Sequence, residues 1–367
     1  MKLRHRQDKV EKILTYKTSK WSPFEEEGTR VKGEVSVIGT GLFDDSLDHE
    51  KVDAIERAGL RTGINTRITF ETKVRQTGIL EADFICGKRN HGDSGNVLED
   101  VLSLAKVSYT ANMTDWLSIV AIPMGARCKD MAISTGSSLQ EKGLTLTDYS
   151  SLGPPLLHQN RGSAIGLTVK STKIVASLAQ FVIDLPGSVG QCFSTFGQIV
   201  YQLPRASKLF LFGLHHMPRP VLLGNPRALP IPLCIWRRHQ LSESSTQTSL
   251  LLLESSKETV PAGSLAVMLE SELDESSRVR GWLQMKNSNP SHLQWSVGIS
   301  DFPEDEIGWG LSLGGAIQGP KNWDHFQVEA FLNFNVGRRL SFQPAFVYLM
   351  EGNNQMPALT FRSTWSL

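Results

Sequence analysis

The residues whose type and spacing could do chemistry are charged side chains that recur at every second position. Glu270 and Glu272 are an example, because a strand would place both carboxylates on one face. Such a pair could act as a general acid and base, although the polar lining of an interior explains the spacing more simply. His215-His216 has no Cys, Asp or Glu close by in the sequence. With no nucleophile elbow, zinc helix or phosphate loop either, the sequence predicts no enzyme, no metal site and no cofactor.

The stretch Arg61–Arg75 shows this alternation most clearly. Its even positions are apolar or small, and its odd positions are polar: Ile64, Thr66, Ile68, Phe70, Thr72 and Val74 against Asn65, Arg67, Thr69, Glu71, Lys73 and Arg75. Only an extended strand turns a period of two into two distinct faces. The twelve alternating residues from Ile64 to Arg75 reach about 40 Å at about 3.4 Å per residue. Twelve alternating residues are enough for a tilted membrane-spanning strand, which needs roughly 9–11. We therefore expect the apolar face of this strand to meet lipid.

Neighbouring strands continue the pattern with complementary charges. Leu80–Cys86 carries Glu81 and Asp83 and returns after a turn, so we expect Lys73 or Arg75 to pair with one of these carboxylates. Glu270 and Glu272 are likewise expected to meet basic residues on the following strand. The predicted lining of the interior is Arg67, Glu71, Lys73, Arg75, Glu81, Asp83, Glu270, Glu272, Arg278 and Arg280. Basic residues slightly outnumber acidic ones on the polar faces, so a pore would prefer anions weakly.

The chain from Leu265 to Leu367 is the most regular part, with seven consecutive strand candidates and no helical interruption. This predicts an antiparallel up-and-down meander, and closure into a barrel removes the exposed sheet edges. The fold class predicted is therefore all-β: a transmembrane β-barrel of about 14–18 strands, with its last strand against its first. Tryptophans near strand ends are expected to form interfacial girdles: Trp282, Trp309, Trp323 and Trp365.

Other parts of the chain are less regular. Residues 1–30 are predicted to be a charged N-terminal extension with at most a short helix at Asp8–Tyr16, and residues 31–367 the barrel domain, starting with a strand at Val31–Val37. Asp48–Ala58 is predicted to be a helix. Residues 125–160 are ambiguous. Residues 185–235 are rich in proline, which predicts one strand at Leu209–His216 and otherwise loops or a segment inside the lumen.

Composition narrows the class of protein. The 367 residues carry a formal charge of +1, so no global field recruits nucleic acid. The mean hydropathy of −0.17 suits a barrel better than a helical membrane protein. The first residues, Met1–Val10, lack the apolar core of a secretory signal, which favours an organelle membrane supplied from the cytosol. The four cysteines are far apart and are expected to be reduced.

The main alternative is a soluble β-barrel or sandwich that acts as a binding or interaction scaffold, with its apolar face inward. The long alternation, the charges in the middle of strands and the short polar turns favour the membrane barrel. The expected partners are membrane lipids, with small solutes or lipids as cargo. Self-association into a homo-oligomer is compatible with such a surface.

The seven-strand C-terminal meander and the charged N-terminus without a signal resemble the β-barrels of organelle outer membranes, especially those of the plant chloroplast outer envelope. The resemblance is one of architecture and covers residues 31–367. It implies a porin-like transport role, as a solute pore or in lipid passage. Pro357–Leu367 lacks the glycine-bearing sorting signature typical of mitochondrial barrels, which favours the plastid over the mitochondrion.

Overall fold

The alternating stretches of the sequence are strands in the computed structural model. The structure describes residues 29–43, 60, 62–74, 77–89, 102–133, 153–159, 162–184, 191–204, 206–218, 263–274, 276–287, 292–303, 307–318, 322–337, 339–352 and 354–367. The two predicted helices, Asp8–Tyr16 and Asp48–Ala58, lie outside these residues, as does most of the N-terminal extension. No helix in the described part of the chain is long and apolar enough to cross a membrane.

Sixteen strands make up the sheet. In chain order they are β1 Arg30–Leu42, β2 Gly63–Val74, β3 Gly78–Arg89, β4 Ser103–Thr114, β5 Leu117–Ala126, β6 Gly162–Lys170, β7 Ile174–Asp184, β8 Gln191–Gln202, β9 Ser207–Pro218, β10 Gly263–Glu272, β11 Ser277–Lys286, β12 His292–Asp301, β13 Gly308–Gln318, β14 Asn322–Val336, β15 Leu340–Glu351 and β16 Asn354–Ser366.

Each strand pairs antiparallel with its neighbours in the chain, and β16 pairs with β1, so the sheet is a closed barrel. The predicted closure of the last strand on the first is confirmed by the register Val35 to Trp365 and Gly39 to Phe361. The seven C-terminal strand candidates are all strands, β10 to β16. The first strand runs beyond the predicted Val31–Val37 to Leu42.

The two ends of the barrel differ in their connections. Chain segments such as 75–77, 115–116 and 171–173 join strands at one end, called here the short-turn end. β1 begins and β16 finishes at this end. The opposite end, the long-loop end, takes the connections through residues 43–62, 127–161 and 219–262. The strands are therefore joined by short turns at one rim of the barrel, while the long connections lie at the other rim.

The exterior face is apolar. On β2, Ile64 is 50 % exposed and Phe70 is exposed as well, and on β14 Leu332 is 46 % exposed, whereas Glu329 on the other face is fully buried. An inward-packed apolar face, as in a soluble barrel, would show the reverse. The exposed apolar side chains come from nearly every strand, and such a surface is suited to lipid rather than to water.

The tryptophans follow the girdle prediction only in part. Trp309 and Trp365 are exposed on the exterior near the short-turn end, and Trp116 is exposed in the turn between β4 and β5. The prediction for Trp282 is wrong, because this side chain is 5 % exposed and belongs to an apolar cluster inside the barrel. The side chain of Trp323 lies outside what the structure describes.

Part of the interior is filled by the chain between β5 and β6. Two described pieces of this connection, residues 127–133 and 153–159, are called here the inward pieces. The first contains a one-turn helix, α1 (Cys128–Met131), and the second a 3₁₀ turn, Pro155–His158. Their apolar residues pack against interior side chains of β5 to β11, in a cluster that includes Leu156, Leu157, Phe181, Phe196, Phe210, Phe212 and Leu214.

The proline-rich region is more regular than predicted. Residues 185–235 contain all of β8, which the sequence did not predict, and all of β9, which extends the predicted strand Leu209–His216 to Ser207–Pro218. A described segment inside the lumen comes from the ambiguous region 125–160. Residues 219–235 of the proline-rich region lie outside the described residues. A smaller apolar cluster joins Leu60 to Val347, Leu349, Met356 and Ala358 on the interior of β15 and β16.

Candidate solute pathway in the barrel interior

The predicted lining residues on β2 and β3 share the face opposite to the exposed apolar row. Arg67, Glu71 and Lys73 alternate with Ile68, Phe70 and Thr72 on β2, and the register sets Glu71 opposite Glu81 and Thr69 opposite Asp83. Arg75 lies outside the described residues. Because this register puts the carboxylates of Glu71 and Glu81 side by side, the charge of Glu81 is not neutralised by its cross-strand neighbour on β2.

Lys106 on β4 supplies the missing positive charge. Its Nζ lies 3.6 Å from a carboxylate oxygen of Glu81, 3.5 Å from one of Asp83 and 3.4 Å from one of Asp130. The expected pairing with Glu81 or Asp83 is therefore wrong for Lys73, because Lys106 takes that role. For Arg75 it stays a prediction. Hydroxyl groups complete the network, because Thr69 donates to Asp83 at 2.6 Å and Ser108 donates to Glu81 at 3.3 Å.

A bulge sets the position of Lys106. The β3–β4 register pairs Asp83 with Lys106 but Phe84 with Leu104, so Ala105 is an extra residue on β4. Without this residue, the side chains on one side of the bulge would point to the opposite face of the sheet. Ala105 therefore lets Leu104 lie on the exterior while Lys106 faces inward next to Asp83.

Glu71 is paired with the first strand instead of the third. Lys32 on β1 donates from Nζ to a carboxylate oxygen of Glu71 at 2.7 Å. Lys32 is well exposed, so this pair adds little to stability. It does remove Glu71 from the set of free negative charges in the interior.

A second charged patch lies on β10 and β11, near the short-turn end. An Arg280 nitrogen donates to Glu270 at 3.0 Å, and an Arg278 nitrogen lies 3.8 Å from Glu272. The β10–β11 register sets each acidic residue directly opposite its basic partner, as the sequence predicts. The first pair is the more buried, since only 6 % of the Glu270 side chain is exposed.

The inward pieces are held to the wall by polar contacts as well as by apolar packing. Asp130 contacts Lys106 and also accepts the backbone N–H of Arg127 at 2.8 Å. The amide oxygen of Gln198 accepts the N–H of Ile133 at 2.7 Å, and that of Gln284 accepts the N–H of Leu156 at 2.8 Å. These contacts attach the inward pieces to β4, β8 and β11.

A cavity of about 490 Å³ separates the wall formed by β1 to β4 from the first inward piece. Its charged lining comes from both sides: Lys32, Glu34, Arg67, Glu81, Asp83 and Lys106 from the strands, and Arg127, Lys129 and Asp130 from the inward piece. Sequence reasoning missed the residues of the inward piece and did not single out Lys32 and Glu34. The alternation within Val31–Val37 was the signal available for the latter two.

The arrangement is that of a membrane-spanning β-barrel: sixteen closed antiparallel strands, an apolar exterior and a charged interior. A barrel with this number of strands is wide enough to leave an aqueous path.

Solved structures with the same fold include a bacterial porin and the proteins OmpT and OmpF. The chain aligns with a mutant of the Rh. blastica porin at 7 % identity, TM-score 0.53, over 93 % of this chain and 100 % of that one. It aligns with OmpT of Vibrio cholerae, in a loop-deletion form, at 9 % identity and TM-score 0.55, over 93 % and 99 %. It aligns with Salmonella typhi OmpF in complex with daunomycin at 6 % identity and TM-score 0.58, over 95 % of this chain and 99 % of that one.

No protein-family model matches the chain, and no curated protein matches it by sequence. At such low identities the likeness shows the fold, a porin-like closed barrel.

Proposed function

We propose that the chain forms a pore through which small polar solutes cross an outer membrane. The observation that carries this proposal is the charged cavity of about 490 Å³ inside a barrel whose exterior is apolar. A charge in the interior of a barrel is costly unless it is paired or water enters, and no ion pair among the described residues includes Arg67 or Glu34. The porin-like fold supports the same function.

The inward pieces would set the size of the solute. They occupy the interior beside β5 to β11 and leave the cavity beside β1 to β4. A volume of this size is typical of sites for small molecules. We therefore expect passage of ions and small metabolites, and exclusion of folded proteins and long polymers.

Conductance in planar lipid bilayers tests the pore. The purified barrel, shown to be folded by its heat-dependent mobility on gels, should produce discrete current steps in KCl, and detergent alone should not. A folded, inserted barrel that carries no current would contradict the pore and favour passage of lipid.

We also propose that the membrane is an organelle outer membrane, with the chloroplast outer envelope ahead of the mitochondrion. The support is the architectural resemblance and the absence of the mitochondrial signature from Pro357–Leu367. Import of the radiolabelled chain into isolated chloroplasts and mitochondria tests this. Insertion resistant to carbonate extraction in mitochondria alone would contradict the chloroplast location, and insertion in neither would contradict both.

A further inference from the structure

The charged groups that line the cavity differ in their ability to bind a solute, because several of them already form ion pairs with other side chains. Lys106 is shared by three carboxylates, and Lys32 is paired with Glu71. A cation surrounded by carboxylates at 3.4–3.6 Å offers little net attraction to a passing anion. Counting the charges along the strands therefore overestimates how strongly Lys106 and Lys32 attract an anion.

Arg67 differs from them. It lines the cavity from the middle of β2 and is half-buried. Among the described residues no ion pair includes Arg67. Its two cross-strand neighbours are Glu34 on β1 and Ile85 on β3, and Ile85 offers no acceptor on its side chain.

We propose that Arg67 is the anion-binding residue of the cavity and holds the carboxylate or phosphate group of a passing solute. A guanidinium presents planar donors that match the two oxygens of such groups. Arg127 and Lys129 on the facing inward piece add positive charge to the same cavity. This inference rests on the proposed pore and names the class of solute that its interior retains.

Glu34 sets the strength of the site. It lies opposite Arg67 in the β1–β2 register and is exposed, and no ion pair among the described residues joins the two. Its negative charge opposes an incoming anion without occupying the guanidinium. We therefore expect Arg67 to bind anions weakly enough to release them, and Glu34→Gln to tighten binding several-fold.

The test compares two substitutions that remove one positive charge from the same face of β2. Arg67→Gln removes the proposed ligand, and Lys73→Gln removes a charge six residues along the strand that does not line the cavity. Binding of inorganic phosphate and of acetate to the barrel in detergent is followed by NMR line broadening. Arg67→Gln should weaken binding about tenfold, the loss expected for one charge-assisted hydrogen bond of about 1.4 kcal/mol, while Lys73→Gln should match the wild type.

Equal losses in the two variants, or no binding to the wild-type barrel at millimolar anion, would overturn the proposal. Arg67→Lys keeps the charge but not the planar fork, so it should retain part of the affinity. Because binding in detergent needs no conductance, it can fail while the bilayer still shows a pore, or succeed where no current is seen. In a conducting barrel, phosphate should reduce the chloride current less in Arg67→Gln than in Lys73→Gln.

Discussion

At the scale of single residues, the two ion pairs on β10 and β11 differ in burial and should differ in their effect on stability. Arg280→Ala would leave the nearly buried Glu270 without its partner, and removing one member of a buried pair costs about 3–5 kcal/mol. Arg278→Ala removes the partner of the more exposed Glu272 and should cost about 1 kcal/mol or less. Urea unfolding of the barrel in detergent measures both, and equal losses would contradict this ranking.

Two glycines with left-handed backbone provide a second comparison at this scale. Gly125 (φ 76°), near the end of β5, would place a Cβ against the carbonyl oxygen of Ala105, whereas Gly337 (φ 67°) has open space. Gly337→Ala should cost about 1 kcal/mol from backbone strain alone. Gly125→Ala adds a backbone clash, for which overpacking costs about 1–3 kcal/mol more. The same unfolding assay ranks the two, and an equal cost would show that the bulged wall yields at Ala105.

Residue pairing was predictable from the sequence only where the turn fixes the register. The turn at Asp274–Ser277 sets Glu270 opposite Arg280, so that pair follows from counting. The partner of Glu81 and Asp83 did not follow, because it is Lys106, on a strand that comes after a long connection and contains a bulge. Asp130 was not predictable either, since its position depends on how residues 127–133 fold inward.

At the scale of elements, Gln284 and Gln198 should keep the inward pieces in place. Gln284→Ala removes the acceptor of the Leu156 N–H, and a buried amide left unpaired costs about 1–3 kcal/mol. Hydrogen exchange at Leu156 should become faster, and current through single pores noisier. The control is Gln180→Ala on β7, where the glutamine accepts from Thr195 away from the inward pieces. Unchanged exchange at Leu156 would show that apolar packing alone holds this turn.

The strands that sequence reasoning found and missed differ in what covers their interior face. β2 and β14 alternate cleanly because one face is apolar and the other polar. β8 was missed because its interior residues Phe196 and Val200 are also apolar, in contact with the cluster around the inward pieces. Large apolar residues thus occur on both faces of β8, and on the interior face they are mixed with Ser194 and Gln198, so the strand has no clear period of two.

At the scale of the whole molecule, the exterior belt predicts how a charge is tolerated with depth. Val297 lies mid-strand on β12 and is exposed on the exterior, whereas Val336 is the last residue of β14 at the short-turn end. Val297→Arg should destabilise the barrel in lipid by about 2–4 kcal/mol, and Val336→Arg by about 1 kcal/mol or less. Folding into lipid vesicles as a function of urea measures the difference. Equal tolerance at both positions would favour the soluble-scaffold alternative.

The pairing of β1 with β16 has a consequence for the order in which the molecule can be completed. The first strand lacks one of its two neighbours until the last strand is present, so the barrel cannot close before β16 is in place, and a sheet without β16 would have two unpaired edges. Arg30 and Ser366 lie at the same rim. A short peptide joining them would therefore allow circular permutation, with new chain ends opened at any turn. A circular permutant with its new ends at Gly352, between β15 and β16, should reach the same barrel, closed by the pairing of β15 with β16 instead of β1 with β16.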